Sequence, residues 1–366
     1  MAATNFAALT PRQKIVWARE VWSEARDNTF TKRFTGTSEN SMIQRITELT
    51  KTEKGERVLM QLVADLVEDG VIGDNQREGN EEEMQSYSQE ITIDLISHQV
   101  KNKGKLAEQK TVLNFRQLAR SRLAYWLTNR IDQLVMLNLA GVSYAFTNSG
   151  APRSSKSPFK NLAFSEGNNP LTSKRHMMWT GSALVPSDTT QVTSAYKPSY
   201  AMIVDAVAYA KDHYIKPLMD GGKEYYVLLV KPGTLGALKK DPDYQRAIVT
   251  AMPRGKENPF FTGGVVTVDG VVLHEHRLVY SNTAAADGQR WGAGGNVTGT
   301  RAVLCGAQAL GMADIGSPEW DEEWFDYKTK QGISIDKMFG LLNPQFYSIY
   351  DKSVEDFGKL TIDLSL

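Results

Sequence analysis

Two periods of apolar and polar positions run through this chain, and the most regular stretch covers residues 111–139. It contains neither Gly nor Pro, and Phe115, Ala119, Leu123, Trp126, Leu127, Ile131, Leu134 and Leu137 recur at the three-and-four spacing of one buried helix face. Gly141 follows, a residue suited to the left-handed position after a helix. The pattern predicts one long amphipathic helix. At about 1.5 Å per residue it would run on the order of 40 Å, a rod that braces something larger than a compact active site.

Around it the period changes. Thr10, Pro11 and Gln13 form a helix start, so residues 10–27 are expected to be helical. Trp17, Val21 and Trp22, with Phe30 and Phe34 beyond, are either core residues or exposed aromatic anchors. Strand patterns occupy residues 41–49, 56–66 and 85–97; in the last, Tyr87, Ile91, Ile93 and Leu95 share one face and Ser88, Glu90, Thr92 and Asp94 the other. Residues 68–84 between the last two strands are rich in Gly, Asn and Glu and read as an unusually long hairpin tip.

Residues 148–199 are rich in Ser, Thr, Asn, Pro and Gly, which predicts an irregular connection or a small insertion. Then come an expected helix over 199–219, a buried strand at 224–232, one or two helices interrupted near Pro242, and a hairpin turning at Asp269-Gly270. This alternation over 199–310 predicts a second compact domain of mixed type. A glycine-rich loop at 281–300 precedes late strands within 301–313 and 327–342, which are placed to return the chain to the first domain.

Composition narrows the function. The 366 residues hold 42 basic and 42 acidic side chains, so the net charge is zero, and a sequence-specific nucleic-acid binder would carry a basic excess. Cys305 stands alone, which removes intrachain disulfides and Cys-based zinc sites. The N-terminus lacks the pattern of a secretory signal, and no apolar run approaches the roughly 18 residues of a membrane helix, so a protein made and used without crossing a membrane is expected.

Charge is strongly blocked along the chain. Residues 65–94 hold ten acids, among them Asp74, Glu78, Glu81, Glu82 and Glu83, against the single base Arg77. Residues 98–130 then hold Lys101, Lys103, Lys105, Lys110, Arg116, Arg120, Arg122 and Arg130 against the single acid Glu108. Two solvated faces of opposite sign would account for this; so would an acidic hairpin of one subunit lying over a basic surface of its neighbour.

No catalytic centre emerges. His274-Glu275-His276 on a strand would place two imidazoles on one face, but no third ligand has a diagnostic spacing and the motif is not HExxH. A solvent-facing or hydrogen-bonded strand pair is the expectation there. The run GAGGNVTG at 292–299 has neither the G-x-G-x-x-G pattern nor a following Gly-Lys-Ser/Thr, so it reads as a tightly turned loop. Nucleophile elbows are absent, and Cys305 in an apolar strand reads as an inert buried thiol. No cofactor is called for.

The succession TFTKRFTGTSENSMIQ, then VLMQLVADLVEDGVIGDNQREGNEEEMQSYSQEITIDLISHQV, then a long helix beginning at VLNFRQLARSRLAYW, resembles major capsid proteins of tailed bacteriophages of the group typified by coliphage N-four. The likeness is most specific over residues 29–141, with VIGDNQREGNEE its best marker, and looser over 199–347. It implies an α+β, Hong Kong 97-like capsid fold. The parts implied are an N-terminal arm (1–49 with its lead-in strand), an extended loop (50–98), a peripheral domain (99–198, with a spine helix at 111–140), an axial domain (199–310) and a return to the peripheral domain (311–366).

The resemblance further implies a non-enzymatic subunit that self-assembles as hexamers and pentamers into an icosahedral shell around packaged double-stranded DNA, assembled in the host bacterial cytoplasm. Inter-subunit contacts are then expected at Trp17, Trp22, Phe30 and Phe34 of the arm. On the loop they fall to Asp74, Arg77, Glu78, Glu81, Glu82 and Glu83, and on the basic stretch to Lys101, Lys103, Lys105, Arg116, Arg120 and Arg122. Implied partners are a separate scaffolding protein, since the loop begins too near the N-terminus for a fused one, a portal protein, a decoration protein, and DNA held without sequence preference. The rivals are an encapsulin-like compartment of the same fold and a metal-dependent enzyme using His274 and His276.

Overall fold

The computed structural model describes residues 29–47, 55–63, 66, 69–79, 81–82, 86–105, 115–251 and 266–366. The helix expected over 10–27, with Trp17 and Trp22, lies outside them, as do Glu83 and residues 111–114 of the expected long helix.

The long helix is present as α1, Phe115–Leu139. It stops where its glycine predicts. Gly141 has φ +61°, its N–H donates to the Asn138 carbonyl, and the Val142 N–H reaches back to Leu137, so the last carbonyls are closed off by a left-handed turn. The single apolar face holds only for the first half, where Ala119, Leu123 and Leu127 are buried while Leu118, Arg122 and Tyr125 are exposed. From Leu134 to Leu139 every residue is buried. Two sheets close on that end, so one amphipathic stripe is not enough.

The first sheet is built from β1 (Thr35–Gly36), β2 (Ile43–Ile46), β5 (Asp94–Lys101), β13 (Leu310–Asp314), β14 (Glu319–Phe325) and β15 (Lys330–Leu342). Its order is β1-β2-β13-β15-β14, with β5 along the other edge of β15. Two strands, β3 (Arg57–Val63) and β4 (Ser86–Thr92), pair antiparallel as a separate ribbon whose root buries Val58, Met60 and Ile91 against Ala313 and Leu342.

β4 and β5 were expected to be one strand with Ile91, Ile93 and Leu95 on one face. Instead the chain breaks at Ile93, and the buried positions become Ile91 and Ile96, leaving Leu95 exposed. One residue outside both strands, whose N–H donates to the Glu56 carbonyl (3.2 Å), moves every following side chain to the opposite face, so the ribbon can leave the sheet while β5 stays in it.

The second sheet takes β6 (His176–Trp179), β7 (Leu184–Pro186), β8 (Leu218–Asp220), β9 (Lys223–Val230), β10 (Val266–Val268), β11 (Val271–Glu275), β12 (Gly299–Cys305) and β18 (Lys359–Ser365). Its order is β10-β11-β9-β12-β18-β6-β7, with β8 on β9. The irregular stretch at 148–199 thus contributes two strands, and the late return of the chain divides: β13, β14 and β15 join the first sheet, whereas β18 inserts into the second. A short hairpin of β16 (Gln345–Ser348) and β17 (Ser353–Asp356) lies between.

Strand alternation gives the second sheet two dry faces. Tyr226, Leu228, Val230, Ala302 and Leu304 face a core shared with α2 (Tyr200–Asp212), α3 (Pro232–Leu238) and α4 (Pro242–Ala251). Val227, Leu229, Val303 and Cys305 face the core built on α1. α2 ends at Asp212 rather than Met219, because Tyr214 turns to φ 54° and Leu218 already pairs with Tyr225. The Asp269-Gly270 hairpin forms as expected, with φ 50° and 73° at its two central residues.

The C-terminal end of α1 is closed by buried cations. Lys359 Nζ donates to the carbonyls of Asn138 (3.3 Å) and Leu139 (3.0 Å), and Arg301 Nη1 to that of Ala140 (2.8 Å). Positive charge at a helix C-terminus offsets both the dipole and the orphan carbonyls.

Candidate functional site

The expected contact residues fall into three groups. Asp74, Arg77, Glu78 and Glu81 are exposed and Glu82 is half-buried on the ribbon's tip. The tip's turns come from its own residues: Glu81 accepts from the Gly79 N–H (2.8 Å), and Asn75 donates to the Ile72 carbonyl (2.7 Å). Among these charges Ile72 is 80% exposed and Leu66 61%, so the tip offers apolar as well as acidic surface.

The basic group divides. Arg116 is committed within its own chain, its Nε and Nη2 bonding both carboxylate oxygens of the buried Glu322 on β14 at 2.9 and 2.8 Å. Trp320 Nε1 also donates to that carboxylate (3.0 Å). Lys101 lies over the Phe325 ring, 4.2 Å from its centroid. Lys103, Lys105 and Arg122 are exposed, and Arg120 is partly buried. The helix start therefore offers fewer free cations than the charge count implies, because a partner 206 residues away takes one of them.

Phe30 and Phe34 sit in a 3-10 turn docked on the chain's own core. Asp132 of α1 is buried and accepts from the Phe30 N–H (3.1 Å), the Thr31 N–H (3.3 Å) and the Thr31 hydroxyl (2.9 Å). Burial raises the pKa of Asp132 against those three bonds. Phe30 stacks on His276 with ring centroids 4.3 Å apart, and Phe34 meets His274 edge-on at 5.0 Å.

The His274-Glu275-His276 pair, expected to face solvent or to hydrogen-bond, does hydrogen-bond, His276 Nδ1 accepting from the Leu278 N–H (3.4 Å), and is also an aromatic seat for the segment leading in from the N-terminus. No group of three His, Cys, Asp or Glu side chains stands together as metal ligands among the described residues. Asp132 and this seat escaped the sequence reading. The lone acid inside a basic and apolar helix was the available signal.

Burial lowers both histidines, His276 to about 4, with Arg277 adding to the effect. A histidine whose folded pKa lies below its ordinary 6.5 stabilises the fold above that value and loses the contribution as pH falls toward 4. Limited proteolysis should therefore cut the segment around Phe30 faster as pH drops through that window. His276→Phe, which keeps a ring under Phe30, should flatten the response; an unchanged pH profile in that variant would remove His276 as the cause.

Cys305 is fully buried and its thiol is pushed up to about 12, as an inert core residue requires. The glycine-rich loop is held by backbone bonds between Gly288 and Gly295 and between Trp291 and Val297, over Met178 and Val192. No helix of the described residues is long and apolar enough to cross a membrane.

Comparison with known proteins places this geometry. A family profile described as phage capsid protein matches residues 5–365. The major capsid protein of Pseudomonas phage KPP25 is 49% identical over 364 residues, covering 98% of this chain and 96% of that protein. The solved capsid of Ralstonia phage GP4 superposes with a TM-score of 0.77 and 25% identity over 100% of this chain and 98% of its own. The capsid of cyanophage Pam1 follows at 0.71 and 19%, covering 100% and 96%, a likeness of fold.

Proposed function

This chain belongs to the phage capsid protein family, and from that premise we propose that its acidic ribbon joins it to a neighbouring copy in the shell. It is a phage major capsid protein with the Hong Kong 97-like α+β fold, a component of the virion that packs with other copies of itself. The observation that carries this is identity of 49% to a major capsid protein along almost the whole chain.

In our reading the copies form hexamers and pentamers of an icosahedral shell around double-stranded DNA, assembled in the host cytoplasm on a separate scaffolding protein and joined to a portal. A decoration protein binds outside. The chain carries no catalytic activity. β3, β4 and the tip between them serve as the extended loop, α1 as the spine helix, the first sheet as the peripheral domain and much of the second as the axial domain. The ribbon's acids meet Lys103, Lys105 and Arg122 of a neighbour; Arg116 is excluded because Glu322 holds it. Residues 1–28, with Trp17 and Trp22, reach another copy from the tether at Asp132.

Charge reversal tests the central contact. Replacing Glu81, Glu82 and Glu83 by Lys should reduce shell yield and make assembly strongly salt-sensitive, while the melting temperature of the unassembled subunit barely moves. Normal shells in electron micrographs at every ionic strength would sink the ribbon's role.

A further inference from the structure

We propose that Arg130 and Arg153, which share the Phe159 ring, form with Lys156 and Lys160 of the same stretch of chain a site for the phosphodiester backbone of nucleic acid inside the shell. The inference rests on the reading above that the shell encloses a genome. The guanidinium carbons of Arg130 and Arg153 lie 5.7 and 5.1 Å from the centre of the same ring, so two like charges share one platform. Neither has a carboxylate partner among the described residues. Arg130 Nη1 donates to Gln133 (2.6 Å), its buried Nε has no hydrogen-bond partner among the described residues, and Arg153 Nε donates to the Phe146 carbonyl (3.1 Å).

Burial lowers both groups, and Arg130 lowers Arg153 further. Among the described residues no acid offsets either shift. The sequence shows why: from Gln133 to Ser165 there is not one Asp or Glu. Lys156 and Lys160, three residues before and one after Phe159 in the chain, are exposed, and Ser155 adds an exposed hydroxyl.

The two half-buried, like-charged guanidinium groups are held together at a cost that an anion would repay, and the two exposed lysines extend the positive surface. A phosphodiester chain suits them because it offers oxygens at regular spacing, so the planar Arg groups and the mobile Lys groups are engaged at once. The zero net charge of the chain is consistent with contact confined to one patch. The rival anion is a neighbour's acidic ribbon.

The test uses the purified full-length chain and a short fluorescently labelled DNA duplex of arbitrary sequence, with binding followed by anisotropy across a salt series. Arg153→Ala/Lys156→Ala/Lys160→Ala should bind at least about tenfold more weakly at low salt, and the slope of log K against log salt should shrink by roughly 2 to 3, near 0.9 per lost phosphate contact. The double variant Lys156→Ala/Lys160→Ala, confined to exposed residues, should show roughly two thirds of that decrease. An unchanged slope in both variants overturns the proposal. So does unchanged DNA binding with lost affinity for a synthetic peptide of residues 69–82, which would assign the site to the ribbon. Shells counted by microscopy in the same preparations separate the two levels: wild-type protein that never forms shells fails the parent reading, whatever the slopes.

Discussion

Asp363→Ala should cost about 3 to 5 kcal/mol of stability, the penalty for leaving a buried charge without its partner, and lower the melting temperature by on the order of 5 to 10 °C. Asp363 is fully buried on β18 and accepts from Arg301 Nε (2.7 Å) and Nη2 (3.1 Å), from His176 (2.7 Å) and from the Ser187 hydroxyl (2.6 Å). Burial alone would push its carboxyl up; the Arg301 charge and the His176 bond outweigh that and hold it well below the usual range. Removing it strands a guanidinium that also serves the end of α1. The double change Arg301→Met/Asp363→Leu should recover much of the loss, since apolar replacement of a buried pair is often neutral. A single-variant loss below about 1 kcal/mol would mean that water reaches Arg301.

Gly340→Ala should disturb assembly more than its stability cost implies. Gly340 lies in β15 just past Phe339, the residue that pairs with Asp94 at the beginning of β5. A Cβ there would stand 2.3 Å from the Thr92 carbonyl oxygen and 2.9 Å from Ile91 Cγ2. Both belong to the end of β4, where the ribbon departs, and the oxygen is backbone that cannot rotate away. Overpacking of this kind costs about 1 to 3 kcal/mol. Its geometric effect is to push the ribbon's root off the sheet, and the displacement grows toward the tip. Faster hydrogen exchange over Ser86–Thr92 and fewer shells are expected. Gly236→Ala in α3, which meets nothing within 4 Å, is the control and should leave both unchanged. Wild-type exchange and shell yield in the Gly340 variant would show that the sheet absorbs the methyl group.

What could be read from the residues follows the range of the forces involved. The helical course of α1 from Phe115, its stop at Gly141 and the Asp269-Gly270 hairpin were legible because each is set by neighbours a few positions apart. The break at Ile93 was not, because Ile91, Ile93, Leu95 and Ile96 are all apolar and either register fits the alternation; only the departure of the ribbon from β15 decides between them. The burial of α1 on all sides from Leu134 onward depends on strands more than eighty residues away. The three groups of candidate contacts differ in what surrounds them. The ribbon's charges are as exposed as a polar, turn-rich stretch requires, whereas Arg116, Phe30 and Phe34 satisfy partners in their own chain that no spacing rule could reveal. Buried lysines are the least legible of all: Lys337, which bonds Asp314 and the Gly316 carbonyl, and Lys359 look like any surface residue in the sequence.

Lys359 also has a consequence in time. As a chain is synthesised, α1 leaves the ribosome more than two hundred residues before the strand that carries the ammonium for its last carbonyls. Until β18 inserts between β12 and β6, the second sheet lacks an interior strand and the helix end keeps unsatisfied acceptors. A product interrupted before Lys359 therefore lacks both the strand between β12 and β6 and the ammonium at the helix end. Completion of the second sheet and closure of the helix end thus wait on the same late strand.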